Sequence, residues 1–154
     1  MDTNYNLITL WQRLSAVNSL SFESTSKTDA SGWSGEGRGQ VVVETRDATT
    51  ILFHELGQWQ QNGGKQLAFS NVYRWTALHE VDGLRLEHLR FGSEQPVYLF
   101  DLRQNGEATW LSVEPHVCRQ DLYAAVMTLT VDELQLRWTI EGPGKDECID
   151  YVYY

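Results

Sequence analysis

With 154 residues, the chain is the size of one domain and long enough to bury a hydrophobic core without disulfides. Its two cysteines, Cys118 and Cys148, form no Cys-x-x-Cys pattern and no secreted disulfide framework, which points to a reducing cytoplasm. A formal net charge of -9 argues against a general nucleic-acid binder, because phosphate neutralisation needs a surplus of Lys and Arg. The polar start, Met1 to Asn6, carries an acid where a secretory signal would carry positive charge. No apolar run approaches the roughly 18 residues of a membrane span, so a soluble chain is expected.

Leu7, Leu10, Trp11 and Leu14 fall at i, i+3, i+4 and i+7 and predict a short helix, capped by Asn4 or Asn6, whose apolar face lies against the end of a barrel. Beyond it the apolar period shifts to two. Strands are predicted over 20–26, 38–46, 49–60, 66–78, 84–91, 97–104, 108–116, 121–131, 134–142 and 147–154. About ten short strands in succession predict a single antiparallel β-barrel domain over 1–154, since closing the sheet removes exposed edges. Gly35-Glu-Gly37-Arg-Gly39 leads into a strand, not a helix, which rules out a phosphate loop. A flexible connection, able to act as a flap over the barrel mouth, is expected there.

Two hairpins have testable registers. An Asp132-Glu133 turn would pair Val131 with Leu134, Leu129 with Leu136, Met127 with Trp138 and Ala125 with Ile140. That makes one face apolar, leaves Thr128, Gln135, Arg137 and Glu141 in water, and directs Tyr123 inward. A five-residue loop, Gly92 to Pro96, would place Leu86, His88 and Arg90 on one face with Tyr98, Phe100 and Leu102, and Arg85 and Glu87 outside. A one-residue slip reverses that second assignment.

The blocks Phe69-Ser-Asn-Val-Tyr73-Arg74-Trp75, His88-Leu-Arg90-Phe-Gly92, Pro96-Val-Tyr-Leu-Phe-Asp101, His116-Val-Cys118-Arg-Gln-Asp121-Leu-Tyr123 and Trp138-Thr-Ile-Glu-Gly142-Pro143-Gly-Lys145-Asp146 occur in this order. Together they resemble a lipocalin-like, calycin-type family of small bacterial proteins known only as a domain of unknown function. The resemblance covers most of the chain and is strongest after Phe69. It implies a barrel closed at one end by the N-terminal helix, with an interior able to hold a small molecule, and it implies no activity and no particular cofactor. Bilin-attaching lyases and haem-holding barrels are more distantly similar. Gly57-Gln-Trp59 lies on the third predicted strand, not on the first, where true lipocalins carry Gly-x-Trp.

Candidate ligand-binding residues are Arg74, Trp75, His88, Arg90, His116, Cys118, Asp121, Tyr123, Trp138 and Lys145. Trp75, Trp138 and Tyr123 offer wall area with little rotamer entropy to lose. Arg74, Arg90, His116 and Lys145 are the polar anchors, either for a ligand carboxylate or for internal partners such as Asp101, Glu114 and Asp121. His116, Cys118 and Asp121 have the donor types of a zinc site or a thiol nucleophile, and equally those of a self-satisfied rim. Their convergence is not established by spacing, so no metal is assigned. His88 is the best-placed imidazole for a haem.

Three functions follow from this pattern. The first is a non-enzymatic barrel for an apolar or amphipathic anionic molecule, with a cavity of several hundred Å³ expected. The second is an enzyme or chromophore-handling protein using His116, Cys118, Asp121 and Tyr123. The third is an interaction module with a filled barrel and a large exposed apolar patch.

Overall fold

The computed structural model describes residues 6–26, 34–61, 63–113, 116–118, 121–143 and 145–154; of 116–118 and of 145 it describes the backbone. Helix α1 spans Leu7–Ser15. Asn6 is its cap, the side-chain oxygen accepting from the Thr9 amide at 3.0 Å and the Thr9 hydroxyl at 3.1 Å, which satisfies donors the first turn leaves free. Leu7, Leu10 and Leu14 turn inward and are buried, as the spacing predicts. No helix among the described residues is long and apolar enough to cross a membrane.

The strands are β1 (Ser19–Ser26), β2 (Gly35–Asp47), β3 (Thr50–Gln61), β4 (Gln66–Leu78), β5 (Gly83–His88), β6 (Val97–Gln104), β7 (Thr109–Ser112), β8 (His116–Cys118), β9 (Asp121–Leu129), β10 (Leu134–Gly142) and β11 (Lys145–Tyr153). Each pairs antiparallel with its sequence neighbour, except that β7 and β8 both pair with β9 as one interrupted stave. β11 returns to β1, and β9 to β10, so ten staves close into an antiparallel barrel.

Alternation of the connections gives the barrel two unlike ends. At one end lie the β2–β3, β4–β5, β6–β7 and β9–β10 turns together with α1, whose Arg13 donates to the Thr130 carbonyl at 2.9 Å. The interior here is filled by Trp75, Trp110, Phe53, Phe100, Leu84, Leu102 and Met127 with the helix leucines. Aromatic contacts run edge to face, Phe53 against Trp75 at 6.0 Å and Phe100 against Trp138 at 5.1 Å, the arrangement favoured by ring quadrupoles. The opposite end holds the β3–β4, β5–β6 and β10–β11 connections.

Several local expectations are corrected. Residues 35–39 are not a flap but the first part of β2, paired with both β1 and β3. Glycine serves packing here, since a Cβ at Gly37 would overlap the Phe22 ring, and one at Gly57 on β3, the partner of Gly39, would meet the Arg38 carbonyl oxygen and the Phe69 ring. The β9–β10 turn is tipped by Val131 and Asp132, closed by Thr130, whose amide donates to the Glu133 carbonyl at 2.9 Å and whose hydroxyl accepts from the Glu133 amide at 3.1 Å. Leu129 therefore pairs with Leu134, Met127 with Leu136 and Ala125 with Trp138. Moving the turn by one residue slides the strands by two, so every side chain keeps its predicted face and only Val131 is expelled, to 79% exposure.

The β5–β6 hairpin divides. Leu84, Leu86, Phe100 and Leu102 face inward, while Arg85 and Glu87 face out, as expected. A bulge at Leu99 then lets Tyr98 pair with Glu87, so Tyr98 lies outside beneath the Arg85 guanidinium, 5.8 Å from ring centre to Cζ. β5 ends at His88, and Arg90 is exposed in the following turn, its Cζ 5.1 Å from the centre of the Phe91 ring.

Candidate functional site

The described open end contains a pocket of about 160 Å³ lined by Phe22, Ser24, Trp59, Phe69, Asn71, Ile149 and Tyr151. All seven occupy inward positions of β1, β3, β4 and β11, which puts the pocket in the lumen. Phe22 and Phe69 meet edge to face at 5.5 Å over the recess left by Gly37 and Gly57, and Phe22 contacts Tyr151 at 5.2 Å. A larger groove of about 730 Å³ runs past Ser70, Asn71, Val72, His88, Leu89 and Arg90, where β4 continues beyond its last pairing with β5. Because its lining comes from both faces of β4, it follows the sheet edge on the flank of the barrel, and Asn71 borders both spaces.

Below the pocket lies a polar layer. Glu55, the cross-strand partner of Asn71, is 1% exposed and shares the inward phase of Ile51, Phe53 and Trp59. The Tyr153 hydroxyl donates to its Oε2 at 2.8 Å, while Oε1 is buried with no hydrogen-bond partner among the described residues. Burial pushes the Glu55 carboxyl up to about 7, against the smaller downward pull of Tyr153 and of the Asn71 amide beside it. Asn71 is near enough to exert that pull but does not complete a well-formed bond to Oε1. Burial holds the hydroxyls of Tyr73, Tyr151 and Tyr153 above their usual range, so they remain neutral.

The expected site residues are dispersed. Arg74 lies on the outer face, where Nε meets Glu87 at 2.9 Å and Nη1 reaches the Ser93 carbonyl at 3.4 Å; its partner is neither a ligand nor one of the three acids considered from sequence. Trp75 is buried in the filled half. Trp138 lies just above it against Phe100 and Tyr73. His88 stacks on Tyr73 at 4.7 Å, and burial, followed by the charge of Arg90, lowers its pKa. The β8–β9 register pairs His116 with Tyr123 and Cys118 with Asp121. The side chains of His116, Cys118 and Lys145 lie outside the described residues, as does the ring of ligands or nucleophile they would form. Asp121 sits against Gly142, where a Cβ would overlap its Oδ1. Among the described residues, no three His, Cys, Asp or Glu side chains are grouped to hold a metal ion.

Sequence reasoning missed Glu55, Asn71 and Phe22. A signal was present for Glu55, since Ile51-x-Phe53-x-Glu55-x-Gly57-x-Trp59 carries a carboxyl in phase with the apolar face.

Fold and site together define a closed ten-stave antiparallel barrel, filled at the helix end and opening on an aromatic pocket over a buried carboxyl. Residues 19–154 match the model of a family of unknown function, DUF6314, and the chain belongs to that family. No significant match is found among curated proteins or among solved structures.

Proposed function

We propose that this protein is a non-enzymatic, lipocalin-like barrel that binds a small molecule by an apolar, ring-sized group placed in the open end of the lumen. The observation that carries this reading is the pocket of about 160 Å³ walled by Phe22, Trp59, Phe69 and Tyr151. A dry cavity of about 150 Å³ accepts one benzene ring. The volume fits a single ring, or the ring end of a ligand that projects through the mouth, better than an enclosed tetrapyrrole. The consecutive order of the staves and the helix at one end support the lipocalin-like assignment.

An amphipathic anion draws no support from Arg74 or Arg90, which stand outside the lumen. A second reading, an enzyme or chromophore-handling protein, is favoured by one observation, the register that sets His116 opposite Tyr123 and Cys118 opposite Asp121 on one hairpin.

Titration with small aromatic compounds, followed by tryptophan fluorescence and amide NMR, tests the first reading. Saturable shifts at Trp59, Phe69 and Tyr151 are expected, and Ser24→Phe, which fills the pocket, should remove them while leaving the fold intact. Native mass spectrometry of protein from its own host without an adduct, together with no saturable binding of any aromatic probe, would sink the reading.

A further inference from the structure

We propose that the Glu55–Asn71 pair is the recognition end of this pocket, and that its ligand is a ring-sized molecule presenting an N–H donor, such as an aromatic amine or amidine, not a carboxylate. The inference rests on the pocket reading above and adds the chemical class of the ligand. Burying a carboxyl is costly unless its oxygens are hydrogen-bonded, and in folded proteins nearly all buried polar atoms are. Glu55 meets that requirement at Oε2 through Tyr153 and fails it at Oε1. Nothing in local packing demands an acid here, since its neighbours in phase on β3 are Phe53 and Gly57. Glu55 stands behind the pocket wall, not in it, and its carboxyl interacts with Asn71 and Tyr151, two residues that line the pocket.

The charge of the lumen agrees. No Lys or Arg lines the pocket among the described residues. Two positions above Ile149 on β11, in the same inward phase, Glu147 also buries a carboxyl oxygen, Oε1, without a hydrogen-bond partner among the described residues. An N–H donor entering between aromatic walls would complete the missing bond. Above about pH 7, where Glu55 is ionised, a carboxylate would bring like charge into a desolvated acidic site.

Two matched pairs of probes test this by NMR titration at about pH 8, where Glu55 is ionised: aniline against toluene, equal in shape but differing in the donor, and benzamidine against benzoate, equal in shape but opposite in charge. Aniline should bind about 10-fold tighter than toluene, the scale of one hydrogen bond to a charged or strongly polar group, and benzamidine should bind where benzoate does not. Glu55→Gln should bring aniline down to the affinity of toluene and leave toluene unchanged. In the wild-type protein the Glu55 carboxyl ¹³C resonance should move with aniline or benzamidine and not with toluene, a readout that survives if the variant misfolds. Equal affinity for aniline and toluene, or a still carboxyl resonance, would mean that Oε1 holds only solvent, and would overturn the recognition role while leaving the pocket intact. Failure of all four probes, toluene included, would overturn the pocket reading and this inference with it.

Discussion

Glu55 couples the stability of this barrel to pH. Its carboxyl titrates near 7 in the folded state, above the ordinary 4.5, because burial disfavours the charged form. The folded chain thus binds this proton more tightly than the unfolded chain. The resulting stabilisation is complete below about pH 4.5 and is lost as pH rises through about 7. His88, held low by burial, acts in the opposite sense, so the wild-type profile alone does not isolate the acid. Glu55→Gln does. Urea denaturation at pH 8 should find the variant more stable than wild type by up to about 3 kcal/mol, the free energy of the shift, with the advantage shrinking towards pH 5. A constant difference between the two proteins across that range would show that Glu55 is ionised throughout. Glu55 is recognisable in sequence only as a carboxyl in an apolar phase; that Tyr153, 98 positions away, serves one oxygen, and that the other has no hydrogen-bond partner among the described residues, follows from the closure of the barrel.

At the scale of elements, α1 and the β9–β10 hairpin show what patterning conveys. The helix follows from the spacing of Leu7, Leu10, Trp11 and Leu14, and of the two possible caps Asn6 is the one whose side chain reaches the Thr9 amide. Asn6→Ala should cost about 1 kcal/mol and Leu14→Ala about 2–5 kcal/mol, because one removes a surface cap and the other a buried side chain. Thermal melts of the two variants check the ranking, and equal losses would mean that the helix does not plug the barrel. In the hairpin, face assignments survived a register error because a two-residue slide preserves parity. The β5–β6 hairpin shows the converse. One bulge residue, Leu99, reverses Tyr98, and early termination of β5 at His88 carries Arg90 to the surface. Neither a bulge nor a strand end leaves a periodic trace, so Tyr98 and the expected anchor Arg90 depart from the alternation for local backbone reasons.

The molecule as a whole divides into a packed end and a recessed end. Trp110 is fully buried among the closed-end side chains, whereas Trp59 stands at the mouth. Trp110→Ala should destabilise by about 3–5 kcal/mol, while Trp59→Ala should leave stability closer to wild type and weaken binding of aromatic probes. Chemical denaturation paired with ligand titration separates the two effects; a large stability loss at Trp59 would make it core, not pocket wall.

Alternation along the chain was enough to determine an all-β barrel, nearly all of its strands, the helix and the inward face of most staves, because period and turn chemistry are local properties of neighbouring residues. The site was not legible in the same way. The conspicuous His, Cys, Arg and Lys motifs proved to be scattered over rim and exterior or to lie outside the described residues. The pocket is instead assembled from inconspicuous Phe22, Phe69, Asn71 and Tyr151, with Gly37 and Gly57 leaving room for the two Phe rings. Only barrel closure decides which inward residues meet across the lumen, how much space they leave, and which buried oxygen lacks a partner, since each depends on contacts between staves far apart in sequence.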